Sequence, residues 1–226
     1  MSTKRARSLG PRAPEPSDLR QRILQASVEL IEDEGLAKLS MREVARRAGV
    51  THQAPYHYFA DREAILGEIA EQGFRLLTEH VERDVIRTEH RSVAQRISAL
   101  ARTYVDFACA HPAHFRIMFR PELVNMDRCP GADAQGDIAF STVTRVVHEA
   151  VQAGLPAVPS EAALVAMLWS FAHGLACLVL DGPLAKKQEL IEPGFKASEV
   201  IAALQALLER TVQPPVAATS RASKQR

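Results

Sequence analysis

Eight histidines, three cysteines and 27 acidic residues are the side chains of this 226-residue chain that could break bonds or hold a metal. Their spacing serves neither purpose. His111 and His114 stand three apart across a proline, His52 and His57 stand five apart, and no Cys, Asp or Glu completes a ligand set around either pair. There is no G-x-S-x-G elbow, glycine-rich phosphate loop or Cys/His dyad. The chain therefore reads as a non-enzyme with no cofactor and no metal; the rival reading, a helical enzyme, would be revived by stoichiometric zinc. Chemistry of another kind gathers at Thr51, His52, Gln53, Tyr56 and His57, donors and acceptors with no carboxylate among them. An acid-free polar surface suits a partner lined with phosphates. A second cluster, Tyr104, Phe107, His114, Phe115 and Met118, lies on two consecutive helical stretches, and Trp169 and His173 stand four apart on one helix face. These residues suit a cavity for a small apolar or aromatic ligand, oriented by His114 or His173. Aromatic and Met residues at helical spacing also fill ordinary cores, and the sequence leaves both readings open.

The elements that must position these residues are all helices, since no stretch shows the period-two alternation of a strand. Ser17-Asp18 caps a helix with Leu19, Ile23, Ala26 and Leu30 on one side, and Gly35 ends it. Ser40 and Glu43 form a capping box for a helix over Met41 to Arg47, a turn follows at Ala48-Gly49-Val50, and Thr51 caps a short helix reaching Tyr58. Small Ala45 and Gly49, with apolar Val44 and Val50, fit a helix-turn-helix. Asp61 opens a long helix to about Thr88, and further helices cover Ser92 to Ala110 and Pro112 to Phe119. Pro121 to Gly136 reads as a loop, Asp137 to Ala153 as a helix, Ser160 to Asp181 as an apolar helix, Gly182 to Gly194 as a loop, and Ser198 to Thr211 as the last helix.

Residues 1–60 carry ten Lys/Arg against seven Asp/Glu, a net +3, and the remainder is net −2, which favours a polyanionic partner at the N-terminal end. Cys109, Cys129 and Cys177 have no disulfide or metal spacing, and no apolar segment follows the basic N-terminus. A reducing, cytoplasmic setting is expected. Ala162 to Leu180 is uncharged and long enough for a membrane span, but Ser170, His173 and Gly174 interrupt it and no second span exists, so burial at a subunit interface is expected and no membrane.

The segment Leu39 to Leu66, with Thr51-His52-Gln53-Ala54-Pro55-Tyr56-His57-Tyr58-Phe59-Ala60-Asp61 at its centre, resembles the signature of the tetracycline-repressor (TetR) family. His111 to Phe119 and Trp169-Ser170-Phe171-Ala172-His173-Gly174 are similar to a branch whose ligand domain carries a Trp…His-Gly motif. The resemblance implies an all-α homodimer with an N-terminal three-helix helix-turn-helix domain and a C-terminal helical domain for ligand binding and dimerisation. Carried over by position, Arg42, His52, Gln53 and Tyr56 face base edges in double-stranded operator DNA, while Ser40, Thr51, His57, Tyr58 and Arg62 hold phosphates. Tyr58 stands where the family usually has His, Arg62 where it has Lys, and Pro55 replaces an aliphatic residue. The expected organisation is a disordered basic arm over 1–16, the DNA-binding domain over 17–62, the ligand and dimerisation domain over 63–212 and a disordered tail over 213–226. Helices 160–181 and 198–211 form the homodimer contact in the family. The expected function is a repressor released from its operator by a small apolar molecule; a non-inducible or activating regulator is the alternative.

Overall fold

Capping side chains set most of the helix boundaries. A computed structural model of the protein describes residues 16–157, 159–184, 186–187 and 195–212. The expected disordered arm up to residue 15, the tail from residue 213 and most of the 182–194 loop lie outside the described residues. The elements are α1 (Pro16–Glu34), α2 (Met41–Ala48), α3 (Arg62–Thr88), α4 (Val93–Ala110), α5 (Pro112–Met118), α6 (Pro130–Gln152), α7 (Glu161–Leu180) and α8 (Ala197–Thr211), with short 3₁₀ turns at Leu36–Lys38, Ala54–His57 and Met126–Arg128. There is no strand among the described residues. The Ser40 hydroxyl accepts from the Glu43 amide, Asp61 from Ala64, and Ser160 from Ala163, while Ser92 and Gln95 cap reciprocally. At Ser40 only half of the expected box forms, because the Glu43 carboxylate turns to Arg46 Nε at 2.6 Å.

Two expected boundaries are corrected. The loop expected from Pro121 to Gly136 ends at Cys129, and α6 begins at Pro130. Proline at the first helical position loses only an amide that has no partner there. Gly131 and Gly136 weaken helix propensity but face α3 closely: a Cβ at 131 would collide with the Glu71 carboxylate, and one at 136 would touch the Phe74 ring at 3.6 Å. Packing of α6 on α3 thus overrides local preference. The second correction is the helix expected over Thr51 to Tyr58, which is a turn followed by the 3₁₀ segment Ala54–His57. Pro55 has no amide to reach the Thr51 carbonyl, so Ala54 N takes it at 3.0 Å in a tighter turn.

Three apolar cores lie along α3, which at 27 residues is about 40 Å long. The first joins Ile23 and Leu30 of α1, Val44 of α2, Phe59, and Ile65, Leu66 and Ile69 of α3. It also takes in Ala113 and Ile117 of α5. The second holds Phe74, Leu77, Tyr104, Phe107, Phe115 and Met118, and the third Ile97, Val146, Val147, Leu164, Val165 and Leu208. Helix α5 is therefore shared, one side in the first core and Phe115 and Met118 in the second. It meets α3 where Gly73 removes a side chain: a Cβ there would lie 2.5 Å from Met118 Sδ and 3.1 Å from His114 Cβ. Gly73→Ala should lower stability by about 1–3 kcal/mol through overpacking, read as a lower urea midpoint with an unchanged m-value.

Candidate functional site

Two features stand out, a polar face at the N-terminal end and a cavity in the C-terminal half. The polar face starts from the turn after α2. Gly49, at φ +66°, adopts the left-handed conformation that closes α2: its amide bonds to Arg46 O and the Val50 amide to Ala45 O. Val44 and Ala45 are buried beneath this turn and Val50 is half-buried, which fixes how α2 meets the following segment. Phe59 and Pro55 are buried, and they turn Thr51, His52, Gln53, Tyr56 and His57 to the surface. All five are exposed, with the His52 and Tyr56 rings 6.0 Å apart. Ser40 and Arg42 are exposed as well, while Tyr58 is half-buried against the first core. Arg62 is half-buried and donates from Nη2 to the Leu36 carbonyl at 3.2 Å, so its position suits bracing the turn before α2 as well as reaching outward.

Charge on this end is arranged locally. Residues 16–60 hold six basic and six acidic side chains, so the +3 of the first 60 residues resides in residues 1–15. Arg47 pairs with Glu29, Asp33 and Glu34, and Arg46 with Glu43 and Glu34. Those pairs occupy Glu29, Asp33 and Glu34 of α1 and Glu43 of α2. Lys38 and Arg42 have no ion pair among the described residues and remain available to an anionic partner. Arg20 ties α1 to α3 with a two-pronged contact to Glu68 at 2.8 and 2.6 Å, and its guanidinium lies 5.2 Å above the Phe59 ring. The polar face is thereby braced against the first turns of α3.

The cavity, about 350 Å³, lies between α3, α4, α6 and α7. Phe74, Leu77, Thr78 and Val81 wall it from α3, Tyr104 from α4, Gly136, Phe140 and Val143 from α6, and Leu168 and Trp169 from α7. Met118 and Phe119 close it at the end of α5. Of the residues expected to line a ligand site, Tyr104, Met118 and Trp169 do so. Phe107, His114, Phe115 and His173 stand outside its wall. Phe107 is buried against the His80 and His111 rings, and Phe115 packs between Tyr104 and His173. Neither His114 nor His173, expected to orient a ligand, lines this cavity. His173 Nδ1 lies 2.9 Å from the Tyr104 hydroxyl and fixes that ring, and burial pushes the phenol pKa up. His173 lines a neighbouring hollow of about 400 Å³ with Arg120 and Ser170, across the shared wall of Met118, Phe119, Met126 and Trp169. The start of the α6 wall, with Ala132, Asp133 and Gly136, went unnamed in the sequence because the first two turns of α6 read as loop there. Among the described residues, no group of three His, Cys, Asp or Glu is placed to hold a metal.

His114 is buried, with Nε2 3.2 Å from Gln72 Oε1 and Nδ1 without a partner. Burial, with the nearby His111, pushes it down to about 4. A histidine kept neutral when folded, and free to protonate when unfolded, withdraws stability as pH falls. Stability should be complete above about pH 6.5 and decline by about 3 kcal/mol as pH falls to about 4. Urea midpoints at pH 7 and pH 5 measure it, and His114→Gln should flatten that slope.

An all-helical chain with an exposed helix-turn-helix face and a separate apolar cavity has the parts of a DNA-binding regulator. Residues 23–69 match the family model for bacterial regulatory proteins of the tetR family, and residues 97–198 match that for the tetracyclin repressor-like C-terminal domain. A structure of a protein of unknown function from Rhodococcus sp. RHA1 is 30% identical, covers 86% of this chain and 96% of its own, and superposes with a TM-score of 0.70. FadR from Bacillus subtilis, solved in complex with stearoyl-CoA, shares the fold at 14% identity and a TM-score of 0.62, covering 85% of this chain and 99% of its own. The HTH-type transcriptional regulator Rv1816 of Mycobacterium tuberculosis is 29% identical over 145 residues, 61% of this chain, and the chain spans 59% of that relative's length. The chain belongs to the tetR family and is a DNA-binding transcriptional regulator.

Proposed function

We propose that this protein is a cytoplasmic dimeric repressor that releases its operator when a small apolar molecule enters the cavity between α3, α4, α6 and α7. The observation that carries the reading is the placement of Met118, which lines the cavity, abuts Gly73 of α3 and belongs to the helix whose other side sits in the first core. A ligand that displaces Met118 pushes on α5 and α3 together, and Arg20–Glu68 carries α1 along with α3. Specific binding needs two polar faces in successive major grooves, roughly 34–36 Å apart. The ligand acts only if it binds better to the arrangement that misses this spacing. Arg42, His52, Gln53 and Tyr56 are the base-edge residues in this reading, and Ser40, Thr51, His57, Tyr58 and Arg62 the phosphate residues.

The second copy docks on α7 and α8. Helix α7 is long and apolar enough to cross a membrane, with a mean hydropathy of 2.0 over its best window. Instead it buries Leu164, Leu168, Ala172 and Leu175 within the chain and leaves Met167 and Leu178 exposed. A partner that covers the second side accounts for its composition without a bilayer. FadR's stearoyl-CoA makes long acyl chains one class of apolar ligand for comparison. The test is anisotropy of a labelled operator, selected from random duplexes, titrated with apolar compounds that also raise the melting temperature. Compounds that raise the melting temperature yet leave the operator bound would refute release, and a melting temperature unmoved by any of them would refute the cavity as an effector site.

A further inference from the structure

Among the described residues, only two of the side chains that line the cavity are charged, and both are carboxylates: Asp133 and Asp137 of α6. None of the described Lys, Arg or His residues lines it. The two acids stand one helical turn apart, a spacing at which like charges repel. Neither has a basic group within 4.0 Å among the described residues. Arg128, near them in sequence, is taken by Asp61 and Glu63, and Arg145 by Glu149. Both acids are exposed, so they stand at the cavity mouth rather than in its depth.

Aromatic rings continue the wall from that mouth inwards. Phe140, one turn beyond Asp137, meets Trp169 edge-on at 5.7 Å. Trp169 lies 6.3 Å from Phe119, and Phe119 lies 5.5 Å from Phe74. Ring faces attract poorly hydrated cations, and the adjoining carboxylates attract the same charge. A carboxylate or phosphate group at this mouth would be repelled. Arg120 and His173 serve the neighbouring hollow, on the other side of the Phe119–Trp169 wall. We propose that the cavity takes a lipophilic monocation, with its apolar body among Phe74, Leu77 and Leu168 and its ammonium group at Asp133 and Asp137 beside Phe140. This rests on the effector-cavity reading and adds the charge of the ligand to it.

Trp169 is the only tryptophan in the chain, so its emission reports on cavity occupancy in the full-length protein. Three probes that share a ten-carbon chain separate the cases below their micellar concentrations: decyltrimethylammonium, 1-decanol and decanoate. Decyltrimethylammonium should bind about tenfold more tightly than decanol, with decanoate weakest. Its advantage should shrink as salt rises from 0.05 to 0.5 M. D133N and D137N, isosteric changes at exposed positions, should each reduce the advantage, and the double variant should abolish it while decanol affinity and melting temperature stay unchanged. Decanol binding as tightly as the cation, decanoate binding best, or a cation advantage that survives in the double variant each overturns the proposal and leaves the effector cavity standing. If none of the three probes alters Trp169 emission or the melting temperature, both readings fall.

Discussion

Replacing Gln53 by Glu lowers operator affinity by about a hundredfold or more and leaves the melting temperature where it was. The Gln53 side chain is exposed at the centre of the polar face and makes no hydrogen bond among the described residues, so the isosteric change disturbs no packing. The amide can both donate and accept, whereas the carboxylate only accepts. A two-pronged amide contact to a base edge is worth about 1–3 kcal/mol, and the new negative charge sits in a groove lined by phosphates. A hundredfold loss is about 2.7 kcal/mol, within reach of the lost contact and the repulsion together. Anisotropy titrations on the selected operator at fixed salt measure it. A loss below threefold would mean that Gln53 does not reach the bases, and the polar face would have to engage DNA through phosphates alone.

The sequence is most legible where local chemistry decides. Ser40 and Asp61 cap the helices expected of them, Ser92 and Ser160 stand at helix starts expected there, and Gly49 closes α2 in the left-handed conformation only glycine adopts without strain. Exposure of Thr51, His52, Gln53, Tyr56 and His57 was also legible, because buried Pro55 and Phe59 leave them no inward side. Legibility fails where a distant element decides. Gly131 and Gly136 look like loop residues until α3 is laid beside them, and only then do their missing side chains become the reason for a close approach. The same failure hid the first turns of the α6 wall of the cavity, including Asp133. His114 and His173 look like ligand groups in isolation, but the fold places one nitrogen of each against Gln72 and Tyr104 respectively. Net charge misled in a different way: the described residues of the DNA-reading end are balanced, and what distinguishes that face is which of its charges are already paired.

These assignments place the polar face and the cavity at different depths of one lever. Ile65, Leu66, Ile69 and Ala70 of α3 belong to the core beneath the polar face, Phe74 to Val81 to the cavity wall, and α5 bridges both. In the proposed mechanism a change in the cavity reaches one polar face within a single chain. Its effect on DNA depends on the second chain, because only two faces at fixed separation distinguish a bound from a released state.

Leu178→Glu should accordingly disable the protein without touching either site. Leu178 is 45% exposed and Met167 is 55% exposed, and they stand eleven positions apart, about three helical turns, so both lie on one stripe of α7. Leu207 of α8 is 61% exposed. A two-fold contact buries each residue twice, so one substitution places two unpaired carboxylates in an apolar interface, each desolvated at a cost of several kcal/mol. Light scattering should then give the mass of one 24.8 kDa chain rather than two, with helical content unchanged. Operator affinity should fall by about 10²–10⁴, the avidity that linking two reading faces confers. Leu178→Met, which keeps the stripe apolar, should retain both the dimer and the affinity. A Leu178→Glu protein that stays dimeric and still grips its operator would move the interface away from α7, and the exposed stripe would then need another occupant.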